Sequence, residues 1–146
     1  MLNTLKMTAE ELMSVVSNFP QASEQIALVE VAPMRVVIEM KIDRQHLRPG
    51  ETVSGPTMFL MADCAFYLAT LAMVGPKLLS VTTNASINFL RRPVGTRLLA
   101  RATILKLGKK LSVGEVRLFT DEMGDDCVAH ATMTYAIPPD DVSAPV

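Results

Sequence analysis

This sequence has little cysteine, little histidine and little charge, and no excess of basic charge. Its 146 residues include two cysteines, Cys64 and Cys127, and two histidines, His46 and His130. Two cysteines are too few for a disulfide framework, and they fit a reducing, cytoplasmic compartment. The histidines are far apart and have no partners at ligand-like spacing, so no metal site is expected. Fourteen Lys and Arg stand against fifteen Asp and Glu, for a net charge of −1. That balance argues against a nucleic-acid partner, which needs a clear basic surplus. Internal repeats are absent. The first seven residues hold one lysine and no apolar h-region, so no secretory leader is expected.

What is present is apolar. Hydrophobic residues make up 49% of the chain and charged residues 20%. The length suits one domain with a full core, and the low charge suggests surface buried between subunits. The expected organisation is a single domain over 1–137, with its core at about 25–137. A Pro/Asp/Ser-rich tail, 138–146, is expected to be disordered.

The stretch that needs explaining is Ser54-Gly55-Pro56 and the run that follows, to Val74. Within Met58–Val74 the polar side chains are Asp63 and Thr70. A helix apolar on every side is a buried helix. The run is slightly short for a bilayer and carries an acid near its centre, so a core helix is expected and no membrane partner. A buried, unpaired carboxylate is costly, so Asp63 needs a purpose. Cys64 beside it reads as an inert core thiol.

Around this helix the pattern is mostly β. Thr8 and Glu11 form a capping box, and Leu12, Val15, Val16 and Phe19 follow at helical spacing, predicting a short helix over about 8–19 before Pro20. Ile26 to Ile42 reads as two edge strands, or as one strand broken at Pro33. Residues 43–53 read as a polar loop, and the central helix spans about 56–74 between Pro56 and Gly75-Pro76. Four strands follow: 78–90, 97–107, 111–120 and 127–137, with hairpin turns at 108–110 and 121–126. One apolar helix and this many strands predict an α+β fold, a five- to six-stranded antiparallel sheet curled around the helix. Such a sheet has open edges and an uncovered back, so a dimer is expected.

Three stretches carry a family resemblance: Arg48-Pro49-Gly50-Glu51-Thr52-Val53-Ser54-Gly55-Pro56 leading to Met61-Ala62-Asp63, the strand Val81 to Pro93, and Gly108-Lys109-Lys110. Over roughly residues 25–137 the chain resembles the hotdog fold, and within it the PaaI-like acyl-CoA thioesterases. Gly50, Gly55 and Asp63 match the family pattern. Arg48 stands at its Asn, Ser54 at its His and Pro56 at its second Gly. The resemblance implies that Asp63 is the base or nucleophile handling the attacking water. It implies that the Gly55 N–H meets the thioester carbonyl, and that Thr82 holds a position where some relatives use a hydroxyl to hold water. Ser54 and Arg48 are candidates to replace the missing His and Asn. No cofactor is implied, since coenzyme A is part of the substrate.

Geometry constrains this reading. Gly55 and Asp63 are eight residues apart, about 12 Å along a helix, too far to act on one carbonyl carbon. The chemistry therefore needs a homodimer with antiparallel central helices, alone or as a dimer of dimers (a homotetramer). Arg91, Arg92, Lys109 and Lys110 are candidate clamps for the coenzyme A phosphates, and Arg48 is a further substrate contact. Met58, Phe59 and Met61 suggest an adaptable acyl pocket. By alternation, Thr82, Asn84 and Ser86 share one face of their strand and Thr83 takes the other. His46 could reach the site and supply an imidazole, whereas His130 reads as structural. Two other functions compete with acyl-CoA hydrolysis. One is a non-catalytic acyl-CoA binding protein. The other is a hotdog hydratase or dehydratase, which would need a His beside the acid.

Overall fold

The computed structural model describes residues 4–18 and 25–139. A 20-residue helix, α2 (Gly55–Val74), is enclosed by a six-stranded antiparallel sheet. The strands of the sheet are β1 (Ile26–Ala32), β2 (Arg35–Lys41), β5 (Val81–Phe89), β6 (Arg97–Leu107), β7 (Leu111–Thr120) and β8 (Ala129–Ala136), in the order β1-β2-β6-β7-β8-β5. A short helix, α1 (Ala9–Val16), packs on β1 and α2. This is the hotdog fold.

The sheet closes on the helix because its inner positions alternate and include several alanines. On β6 the buried residues are Leu98, Ala100, Ala102 and Ile104, with Arg97 and Arg101 turned outward. On β8 they are Ala129, Ala131, Met133 and Tyr135. Gly114 on β7 lies under the helix, where an added Cβ would overlap the Phe66 ring and the Thr103 carbonyl oxygen. That glycine leaves room for the Phe66 ring against the sheet. Fourteen of the twenty residues of α2 are buried. Its polar Thr70 is matched inside by Ser112, hydroxyl to hydroxyl at 3.0 Å. The helix is long and apolar enough to cross a membrane, but here it is the core of the sheet.

The predicted bounds of β6 and β7 coincide with the observed ones, whereas the strands expected at 78–90 and 127–137 shorten to 81–89 and 129–136, and three further segments differ. The segment from Ile26 to Ile42 is a hairpin whose turn holds Met34 at φ 68°. Only β1 is an edge, because β2 also pairs with β6. The 43–53 segment is not all loop. It contains a 3-10 turn (Arg44–His46) and a two-residue ladder of β3 (Leu47–Arg48) and β4 (Thr52–Val53). Helix α1 ends at Val16, where the Ser17 and Asn18 amides close on the carbonyls of Met13 and Val15. The expected contribution of Phe19, and residues 140–146 of the tail expected to be disordered from 138, lie outside the described residues.

β5 is the other edge of the sheet, and of its nine residues only Thr82 and Ile87 are half-covered. Large apolar side chains gather there: Val81, Phe89 and Leu90, with Leu78 and Leu79 just before the strand, are each more than 40% exposed.

Candidate active site

Asp63 is the ninth of the twenty residues of α2, near its middle, on the side facing β5, and is half-buried. Two hydroxyls donate to the same carboxylate oxygen, Oδ1: Thr82 Oγ1 at 2.6 Å and Tyr135 Oη at 2.7 Å. The Tyr135 hydroxyl also lies 3.1 Å from the Asp63 carbonyl oxygen. Thr82 and Tyr135 are direct cross-strand partners of β5 and β8. The register slips between Thr82 and Asn84. This bulge corrects the expected alternation. Thr82 is in phase with Ala85, Ile87 and Phe89, not with Asn84 and Ser86, and so turns toward the helix. Thr83, the extra residue, donates to the Thr134 carbonyl at 3.3 Å.

Beside Asp63 opens a cavity of about 390 Å³, lined on α2 by Leu60, Cys64 and Tyr67. With Asp63 these form a stripe at i, i+3, i+4 and i+7 along one helix face. Leu78, Val81 and Tyr135 complete its apolar wall. The Tyr67 hydroxyl donates to the Leu78 carbonyl at 2.9 Å, tying the helix to the segment before β5. Burial, and then the Asp63 charge, push the Cys64 thiol up to about 12, so it stays protonated and inert. Burial raises Tyr135 well above the usual phenol range, so it remains a donor.

A second, larger cavity of about 690 Å³ lies at the start of α2. It is lined by Gly55, Met58 and Phe89 and by Arg48, Arg91 and Arg92. Three of the predicted cationic residues thus converge on the predicted glycine. The Arg92 guanidinium donates to the Gly50 carbonyl at 3.1 Å, and Arg91 to the Cys127 carbonyl at 2.7 Å, fixing both side chains at the rim. Lys109 and Lys110 line neither cavity; their hairpin adjoins the other end of the sheet, where Leu111 pairs with Ala136. Met58 lines the Gly55 cavity, but Met61 is wholly buried core and lines neither cavity.

Ser54 is the N-cap of α2. Its Oγ lies 3.3 Å from the Thr57 amide, which donates to it, and 2.9 Å from the Thr57 hydroxyl. Its own amide is held by the His46 carbonyl at 2.8 Å. Pro56 has no amide hydrogen, Thr57 gives its own to Ser54 Oγ, and Met58 gives its own to the Ser54 carbonyl at 3.1 Å. Among the described residues no acceptor takes the Gly55 N–H. The first turn therefore offers one backbone donor, at the positive end of the helix dipole. Thr57, whose amide could have shared this role, is committed to the cap. A Cβ at Gly55 would lie 3.3 Å from the Phe89 ring, so the approach to this donor is open only without a side chain.

His46 belongs to the support of this loop. Its Nδ1 accepts the Asp43 amide at 2.8 Å and its Nε2 lies 3.0 Å from Gln25 Oε1. The ring does not line either cavity. His130 is on the sheet's outer face, 2.6 Å from Glu115. Among the described residues no three His, Cys, Asp or Glu side chains cluster as metal ligands.

Within one chain the two halves stay apart. Gly55 touches Phe89 and Asp63 touches Thr82, seven residues and about 23 Å away along β5.

The sequence profile of the thioesterase superfamily matches residues 50–127. The chain belongs to the thioesterase superfamily. Mouse acyl-coenzyme A thioesterase 13 is 26% identical over 129 residues, covering 84% of this chain and 90% of its own. A crystal structure from Silicibacter sp. TM1040, of a protein that carries a provisional thioesterase name, is 40% identical. It covers 95% of this chain and 97% of its own, with a TM-score of 0.86. The PaaI protein of the E. coli phenylacetic acid degradation operon is 22% identical over 86% of this chain and 89% of its own; its TM-score of 0.76 shows a shared fold. These relatives support thioester hydrolysis as the general chemistry of this superfamily member.

One residue escaped the sequence reading: Tyr135. Its signal was present, since it falls on the inward phase of β8 with Ala129, Ala131 and Met133. A tyrosine placed inside a core needs an acceptor for its hydroxyl.

Proposed function

We propose that this protein hydrolyses acyl-CoA thioesters to free acid and coenzyme A, as a homodimer that builds each site from two chains. The observation that carries the reading is Asp63: a carboxylate held by two hydroxyl donors at the mouth of an apolar cavity. Such an arrangement suits a base beside an acyl group. The Gly55 cavity, with its single free amide and three arginines, suits a thioester carbonyl continuing into a phosphorylated carrier.

The two cavities meet in an antiparallel dimer. β5 is an open, apolar edge whose two ends carry the two half-sites. Pairing β5 with its copy sets the Thr82 end of one strand against the Phe89 end of the other. Asp63 of one chain then faces Gly55 of its partner. In this dimer Asp63 takes a proton from water as the water oxygen attacks the thioester carbon. The oxyanion is held by the partner's Gly55 N–H. The C–S bond then breaks, and the proton on Asp63 passes to the departing thiolate, leaving acid and free thiol. Thr82 and Tyr135 hold the base, and Ser54 holds the start of the helix that presents Gly55. Arg48, Arg91 and Arg92 contact the coenzyme A phosphates. The cytoplasm supplies both the substrate and the reducing conditions that the two free cysteines fit.

The departures from the family pattern at Ser54 and Arg48 favour one competitor, a non-catalytic acyl-CoA binding protein. Thiol release from short, aromatic and long acyl-CoAs, wild type against Asp63→Asn, separates the two. Turnover that is lost in Asp63→Asn while binding persists supports the enzyme. Tight binding with no turnover of any thioester by the wild type makes it a binding protein.

A further inference from the structure

We propose that Tyr135 is a positioning residue for the reaction, fixing which oxygen of Asp63 meets the water. The inference rests on the proposed hydrolysis and goes beyond it, because it assigns different duties to the two carboxylate oxygens. Both strong donors, Thr82 Oγ1 and Tyr135 Oη, end on Oδ1. Among the described residues none donates to Oδ2. A carboxylate on a helix rotates about its χ2 with a broad, shallow preference. Two donors on one oxygen stop that rotation, committing Oδ1 to the protein and leaving Oδ2 as the acceptor for water.

Tyr135 suits this duty better than Thr82. Thr82 lies on the sheet edge, half-exposed, next to a bulge. Tyr135 is 3% exposed. Its ring is wedged between Phe66 and Tyr67, with centroids at 5.6 and 5.9 Å. Its hydroxyl also reaches the Asp63 main-chain carbonyl, so it registers the side chain against its own backbone. A rigid donor fixes geometry, and displacement of a reacting group by about 1 Å can cost about a hundredfold in rate.

The test compares Tyr135→Phe, Thr82→Val and Asp63→Asn with wild type for kcat, KM and thermal unfolding. Tyr135→Phe keeps the ring and removes only the hydroxyl. The expected result is a fall in kcat of about ten- to a hundredfold, with KM within about twofold of wild type and Asp63→Asn inactive. A purely structural role would move the unfolding midpoint and leave the kcat of the folded enzyme alone. If Tyr135→Phe proves too unstable to assay, Thr82→Val reads the same oxygen from the exposed strand. A kcat loss at an unchanged midpoint then supports two-donor positioning, and an unchanged kcat overturns it. Wild-type kcat in Tyr135→Phe, with Asp63→Asn dead, overturns the role of Tyr135 but leaves the hydrolysis standing. Full activity in Asp63→Asn overturns the proposed hydrolysis by Asp63 itself.

Discussion

Thr82 and Tyr135 face each other across β5 and β8, and their hydroxyls meet on one oxygen of Asp63 at 2.6 and 2.7 Å. A carboxylate that stands in an apolar helix is thereby held from the sheet side by two strands at once. The first prediction concerns the smaller donor. Thr82→Ser keeps the hydroxyl and should retain activity within about threefold, whereas Thr82→Val should lose about tenfold in kcat with little change in KM. Steady-state kinetics on one acyl-CoA decide it. Equal activity in the two variants would show that the hydroxyl at this position is idle.

Gly55 separates backbone donor from open space. Gly55→Ala adds a methyl 3.3 Å from the Phe89 ring but keeps the amide hydrogen. Gly55→Pro puts a Cβ in the same place, with two further ring carbons, suits the first turn of a helix, and removes the hydrogen. The oxyanion role predicts that Gly55→Pro loses a further hundredfold or so in kcat beyond Gly55→Ala. Equal losses in the two would assign the whole effect to crowding against Phe89.

Ser54 is expected to act through helix capping. Ser54→Ala should lower stability by about 1 kcal/mol, read from denaturant unfolding, since it frees the Thr57 amide. Activity should fall less than tenfold. A loss as deep as that of Asp63→Asn would instead give Ser54 a part in the chemistry, in place of the family's histidine.

The arginines at the Gly55 cavity should be read by the carrier and not by the acyl group. Arg48→Ala and Arg92→Ala should raise KM for acyl-CoA by about tenfold, with a dependence on salt, and leave KM for the same acyl group on a phosphate-free thiol unchanged. A rise in KM on both thioesters would place the arginines at the acyl end.

Stability should fall in two separate steps on acidification. His46 is held below its usual range by burial, partly offset by the charge of Asp43. Its folded form resists a proton that the unfolded chain accepts. Stability therefore declines as pH falls below about 6.5 toward the lower folded-state value. Asp121 is held below its usual range by the Thr96 hydroxyl, then by the Arg97 amide. Its contribution is present above the ordinary carboxylate value and is lost as pH falls through the folded-state one, below about 4. Thermal melts against pH should flatten in the first window for His46→Asn and in the second for Asp121→Asn. An unchanged slope in either variant would remove that residue from the account.

The fold was largely legible because one long run is apolar on every side and most of the strands alternate. The apolar run to Val74, with an acid near its centre, reads as a core helix, and β6 alternates from Arg97 to Ile104 before a bulge while β7 alternates throughout. The site was half legible. Asp63 stands out as a charge where charge is costly, and Gly55 as the glycine at a helix start. Thr82 was drawn from the resemblance, but strand alternation misplaced its neighbours, because a bulge of one residue is silent in a period-2 pattern. Tyr135 is 72 residues from Asp63 and meets it only through the pairing of β5 with β8. Residue type alone does not separate Met61, which is core, from Met58, which lines the Gly55 cavity.

The central claim is that each site draws Asp63 from one chain and Gly55 from the other, and mixing two inactive variants tests it most directly. Gly55→Pro and Asp63→Asn are unfolded and refolded together, and thiol release is compared with each alone. In a mixed dimer one site carries both lesions and the other carries neither. The account predicts recovery of about one quarter of wild-type activity at equal mixing. Activity no higher than that of the separate variants would contradict a site shared between chains.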